Sequence, residues 1–134
     1  MKQLILLLFT SLSFSQAISG TYEFHFRENR TPIGWDKVDV SGTVVFYEDR
    51  KTNTVTILTP DKEEHLYVKS RQLFIRQDAF IYTLVDEDYN ECSFRIQVIG
   101  TLDKLELYYY SDRIEDKYYR LNLMKCEDTA ESFD

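Results

Sequence analysis

The amino-acid sequence predicts an all-β domain: an antiparallel up-and-down meander of about 8–10 strands, closed or nearly closed into a barrel, with a β-sandwich as the alternative. Three observations predict it. Apolar and polar residues alternate with period two along nearly the whole chain after the first 17 residues. No segment carries a helical period long enough for the crossover that a parallel sheet needs. The composition, 10 Tyr and 9 Phe against 4 Gly, supplies bulky rings to fill a small interior.

The chain opens with Lys2, an apolar run from Leu4 to Phe9 and then small and polar residues, the order of a secretory signal peptide. Thr10, Ser11, Ser13, Ser15 and Gln16 interrupt the run well short of the ~20 apolar residues that a spanning helix requires. Residues 1–17 are therefore expected to be removed, with cleavage after Ser15 or after Ala17. The protein is expected to be exported, periplasmic or extracellular. Residues 18–126 then form one barrel domain and 127–134 an acidic tail. Losing Lys2 moves the formal charge from −7 to −8, which disfavours nucleic acid and anionic membrane surfaces as partners.

Within the domain, Tyr22, Phe24 and Phe26 alternate with Thr21, Glu23, His25 and Arg27 as a first, half-buried strand. Residues 29–34, with Pro32, read as a loop. Trp35 to Val40 forms a second strand that Ser41-Gly42 breaks and Val44 to Tyr47 resumes. A polar turn over 48–53 leads to the strand Thr54 to Leu58, and Thr59-Pro60-Asp61-Lys62 is a turn by its own chemistry. Three short strands follow, His65 to Lys69, Leu73 to Arg76 and Phe80 to Val85, and then an acidic turn over 86–90. The last three strands are the clearest: Cys92 to Val98, Leu105 to Tyr110 and Tyr118 to Leu123, joined by short links suited to antiparallel neighbours.

With an exported, even pair of cysteines, Cys92 and Cys126, a disulfide is expected, two separate thiols being the other possibility. The opening Gly20-Thr21-Tyr22, the meander, and Arg120 in the last strand resemble the lipocalin-like barrels of the calycin group. That resemblance implies barrel closure by Arg120 packing over Tyr22, where tryptophan is usual, and a tail cysteine bridged to a strand.

No catalytic or metal motif stands out. His25 and His65 have no partner in sequence that would mark a nucleophile site, and both read as solvated. Asp86 to Glu91 places oxygens at alternate positions like a calcium loop, but Glu91 stands where glycine is needed and Gln97 where a bidentate carboxylate is needed. The turn reads as an exposed acidic hairpin. No cofactor or metal is expected, and no enzymatic activity.

The expected function is a binding module holding a small hydrophobic ligand in the barrel interior, in a cavity of roughly 300 Å³ or more. The alternative is a structural or protein-interaction role, as an inhibitor or envelope component, through an acidic, tyrosine-rich surface. Candidate ligand-binding residues are Trp35, at the rim or in the core, and Tyr108, Tyr110 and Tyr118, which share the phase opposite the leucines of their strands.

Overall fold

A computed structural model describes residues 18–48, 52–111 and 118–126. The signal-like residues 1–17 and the acidic tail 127–134 lie outside them. The described residues form ten strands: β1 (Gly20–Phe24), β2 (Arg27–Thr31), β3 (Gly34–Val38), β4 (Gly42–Glu48), β5 (Asn53–Thr59), β6 (Lys62–Phe74), β7 (Ala79–Val85), β8 (Glu91–Ile99), β9 (Thr101–Tyr110) and β10 (Tyr118–Lys125). One 3₁₀ turn, Ile75–Gln77, is the single helical element among them.

Every pairing is antiparallel. The order β1-β4-β5-β6-β7-β8-β9-β10 closes on itself when β10 returns to β1, with Tyr22 opposite Lys125. Eight strands thus make a closed barrel, which excludes the sandwich. The side chains that alternate inward, among them Tyr22, Phe46, Leu66, Phe94, Ile96, Leu107 and Leu121, are nearly all fully buried and form one contiguous core.

Two segments differ from the sequence expectation. Residues 29–34, expected as a loop, belong to a hairpin: β2 pairs with β3, and Pro32-Ile33 forms its tip. Both faces of Arg27–Thr31 are polar, so no alternation marked it as a strand. β2 also pairs with the first half of β10, Leu121 opposite Arg27, while β1 pairs with its end. The first strand therefore breaks at His25-Phe26, and Phe26 leaves the core face to pack under Lys37, whose ammonium sits 4.5 Å from the ring centroid.

The other difference is β6. It is one strand of 13 residues, where two short ones were expected. A bulge between Val68 and Ser70 shifts the register. Before it Glu64, Leu66 and Val68 point inward; after it Arg71 and Leu73, opposite Tyr82 and Phe80, take over that phase. A bulge inserts one residue and so reverses the parity of everything beyond it, which is why the period appeared to stop.

Gly42 starts β4 at a point of close approach. A Cβ there would lie 2.1 Å from the Leu58 carbonyl oxygen and 2.8 Å from Phe24 Cζ, so only glycine fits beneath that ring.

The two ends of the barrel differ. At one end Ile18, 2 % exposed, packs into the core, and the Tyr22 hydroxyl donates to the Leu102 carbonyl at 2.6 Å. At the other end the strands open around Thr59, Glu64, Asp86 and Tyr119, and two recesses enter between them.

Candidate functional site

The four aromatic residues singled out in the sequence come together, although Trp35 and Tyr118 stand 83 positions apart in the chain. Trp35 meets Tyr118 edge-on at 5.6 Å and Tyr108 at 6.0 Å, and Tyr110 meets Tyr118 at 5.7 Å. They lie on the outer face of the barrel. Tyr108, Tyr110 and Tyr118 alternate with the buried Leu107, Tyr109 and Tyr119, and Trp35 reaches them from β3, the outermost strand of the β2-β3 flap. Trp35 is thus neither a core anchor nor a rim residue of the open end, and none of the four can line the interior.

Cations thread the cluster. The Arg120 guanidinium sits 4.3 Å over the Trp35 ring, Arg30 at 5.4 Å, and Arg95 lies 5.8 Å over Tyr108. Arg120 also forks onto Glu28 at 2.7 and 3.1 Å, a bidentate pair only a quarter exposed. The pairing holds the Glu28 carboxyl below its ordinary 4.5. Arg120 therefore docks the flap on the barrel through Glu28 and Trp35. The expected closure pair is not formed: Tyr22 points into the core, Arg120 points out, and the wall between them prevents contact.

Cys92 and Cys126 are not bonded. Ser93 is level with Tyr110 and Tyr110 with Tyr118, so Cys92 lies at the open end; Cys126 follows Lys125 at the closed end. Eight residues of extended chain separate the level of Tyr118 from Cys126, roughly 27 Å at ~3.4 Å per residue. A disulfide needs its Cα atoms within about 7 Å.

Among the described residues the interior shows no large apolar chamber, because rings fill it. Tyr22 and Phe46 pack edge to face at 5.5 Å, and Tyr109 and Tyr119 stack at 4.7 Å with their planes 3° apart. Open space begins above that stack. One recess of about 300 Å³ is floored by Phe24, Val40, Ile57 and Leu121, walled by Tyr119, and rimmed by Arg27, Asn29, Asp61, Lys62 and Glu64. Beside it a cleft of about 430 Å³ carries Glu63, Glu64, Asp86, Glu87, Asp88 and Glu91 against the single cation Lys62.

Compared with protein-family models, with characterised proteins and with solved structures, the chain matches none. The geometry alone carries the functional reading.

Much of the acidic cleft is accounted for by the wall itself. Asp86 Oδ1 accepts from the backbone N–H of Asp88 and of Asn90, both at 2.9 Å, closing the β7–β8 turn. Glu91 accepts from Lys69 at 3.0 Å. No group of three or more metal-ligating side chains occurs among the described residues.

His25 is exposed, 3.9 Å from Glu23. His65 is more organised. Its Nε2 lies 2.6 Å from Glu63 Oε2 and its Nδ1 3.2 Å from Thr56 Oγ1. A carboxylate only accepts, so Nε2 carries a proton and, in the neutral ring, Nδ1 accepts from the threonine hydroxyl. The trio lies on the outward phase of β5 and β6, in the stretch of β6 that pairs with β5 alone.

The residues that sequence reasoning missed are Arg27 and the apolar floor. Arg27, expected on the outward polar phase of the first strand, instead opens β2 on the inward phase opposite Leu121, because the chain kinks at His25-Phe26 and nothing in the local alternation marks that kink. The floor draws on β1, β5 and β10 and on the β3–β4 link, which only closure brings together.

Proposed function

We propose that this protein is an exported, non-enzymatic binding module that takes a small hydrophobic ligand in the cup at the open end of its barrel. The observation that carries this reading is the recess of about 300 Å³ whose floor is Phe24, Val40, Ile57 and Leu121. Its volume reaches the lower end of the range for small-ligand sites, and its apolar floor with a polar rim is the usual division of labour in such sites. The ligand sits above the Tyr109–Tyr119 stack, not deep in the barrel, because the rings below leave no room. Export rests on the signal-like residues 1–17; Ile18, buried at the closed end, is retained by cleavage after Ser15 or after Ala17. A likeness to the lipocalin group is part of this reading, supported by the closed antiparallel meander, while the closure contacts and the cysteines differ from those the likeness implies.

Titration with octan-1-ol, followed by amide chemical shifts, tests the cup. Saturable shifts confined to the Phe24, Val40, Ile57 and Leu121 region are expected, and Val40→Trp, which fills the recess, should weaken them about tenfold or more. Scattered, non-saturating shifts would remove the small-ligand reading.

A second reading is favoured by a separate observation. Trp35, Tyr108, Tyr110 and Tyr118 form one connected aromatic face, with Tyr110 47 % and Tyr118 36 % exposed, and connected aromatic area of this kind suits a protein partner. Native mass spectrometry of the protein taken from its own source separates the two. A bound small molecule favours the cup; a protein complex that Tyr110→Ser with Tyr118→Ser dissolves favours the face.

A further inference from the structure

We propose that the ligand of the open-end cup carries a carboxylate, and that Arg27 is the residue that reads it; this rests on the cup being a ligand site. Arg27 stands on the inward phase of β2, opposite Leu121, with its guanidinium 5.3 Å over the Tyr119 ring. Its Nε is buried and has no hydrogen-bond partner. No carboxylate of the described residues lies within 4 Å of it, in contrast to Arg71 and Arg120, which hold Glu48 and Glu28. A guanidinium carries five donors and cannot shed its charge, so a buried N–H left without an acceptor is costly unless something supplies one.

The other ions around the cup are engaged or turned to water. Lys62 pairs with Glu64 at 3.6 Å, and Asp61 is exposed in the β5–β6 turn. What remains among the described residues is one inward cation, backed by an aromatic ring, at the edge of an apolar floor. An amphiphile with a planar acid at one end matches both parts. A turn of the Arg27 side chain toward the recess would let the acid accept from Nε–H and a neighbouring Nη–H in the side-on fork that arginine offers and lysine cannot. Asn29, on the same rim, has an amide N–H that can serve a second oxygen. The volume of about 300 Å³ holds roughly ten water-sized groups, at ~30 Å³ each, which sets the apolar part at a chain of medium length or a single ring.

The neighbouring acidic cleft repels anions at long range, whereas the contact at Arg27 is short and partly withdrawn from water. Added salt screens the first more than the second. Carboxylate binding should therefore hold or strengthen as salt rises, the opposite of binding driven by a diffuse basic surface.

Calorimetric titration of the protein with octanoate, octan-1-ol and octyltrimethylammonium tests the assignment on the unaltered chain. Octanoate should bind about tenfold or more tighter than octanol, and octyltrimethylammonium more weakly than either. Arg27→Met should abolish the preference for octanoate over octanol, and Arg27→Lys should restore only part of it. Equal affinities for octanoate and octanol would overturn the carboxylate assignment and leave the cup standing. Failure of both to bind would remove the cup and the assignment with it. A preference for octanoate that survives Arg27→Met would show that some other group reads the acid, and Arg27 would lose its role.

Discussion

Tyr22, Tyr82, Tyr109 and Tyr119 bring hydroxyls into an apolar core, and burial is the leading reason that all four hold their protons more tightly than free tyrosine. For Tyr22 and Tyr82 the shift is from 10.0 to about 12. The folded form thus keeps protons that the unfolded form has released. Stability from these rings is complete below pH 10, falls through the interval up to about 12, and is lost above it. Tyrosinate absorbance should rise in two stages with pH, the exposed rings first and the buried set together with unfolding. A single transition near the ordinary tyrosine value would contradict the burial. Tyr22→Phe removes the bond to the Leu102 carbonyl and should cost about 1–2 kcal/mol in denaturant unfolding, since that acceptor is left without its donor. Gly42→Ala should cost more, about 2–3 kcal/mol, because a methyl 2.1 Å from a backbone oxygen can only be accommodated by moving a strand.

The β2-β3 flap depends on Arg120 more than on its own hairpin. Two five-residue strands with a polar sequence are marginal alone, and the flap gains order from pairing with β10 and from the Glu28–Arg120–Trp35 contacts. Arg120→Met should speed amide exchange across β2 and β3 while leaving β5 to β8 protected, with a global cost of about 1 kcal/mol. Because Arg120 holds the Glu28 carboxyl below 4.5, the contribution of this pair is present above that value and is lost as pH falls through the lowered one. Acid should therefore loosen the flap before the barrel, a sequence that exchange measured along a pH series would reveal or refute. The stretches most legible in the sequence, Cys92 to Val98 of β8, Leu105 to Tyr110 of β9 and Tyr118 to Leu123 of β10, keep unbroken parity and one buried face; the register of β8 against β9 shifts only beyond Val98. Those read poorly, β2 and β6, either have no buried face or switch faces at a bulge.

Closure of eight strands puts Cys92 and Cys126 at opposite ends, so the protein stands without a covalent staple even in an oxidising compartment. A thiol reductant should leave the melting temperature unchanged, and a drop of several degrees would indicate a bridge. Native-state alkylation should modify Cys126 and spare buried Cys92, with Cys126 slowed because partial burial and the nearby Glu23 raise its thiol pKa. The contiguous core runs from Ile18 at one end to the Tyr109–Tyr119 stack at the other, and the two barrel recesses lined by described residues both lie at the open end.

The sequence by itself determined the all-β class, the antiparallel meander and the inward leucines and rings, because period-two alternation is a local property that pairing only has to respect. It also separated outward Tyr108, Tyr110 and Tyr118 from inward Tyr109 and Tyr119, since parity within one strand needs no partner. Only the tertiary structure decided what those residues meet. Trp35 joins the tyrosines through a flap whose strands share no apolar pattern, Arg120 finds Glu28 92 positions away, and Arg27 turns inward at a kink. Each of these depends on barrel closure, which fixes neighbours across the wall through ladder bonds formed by residues remote in the chain.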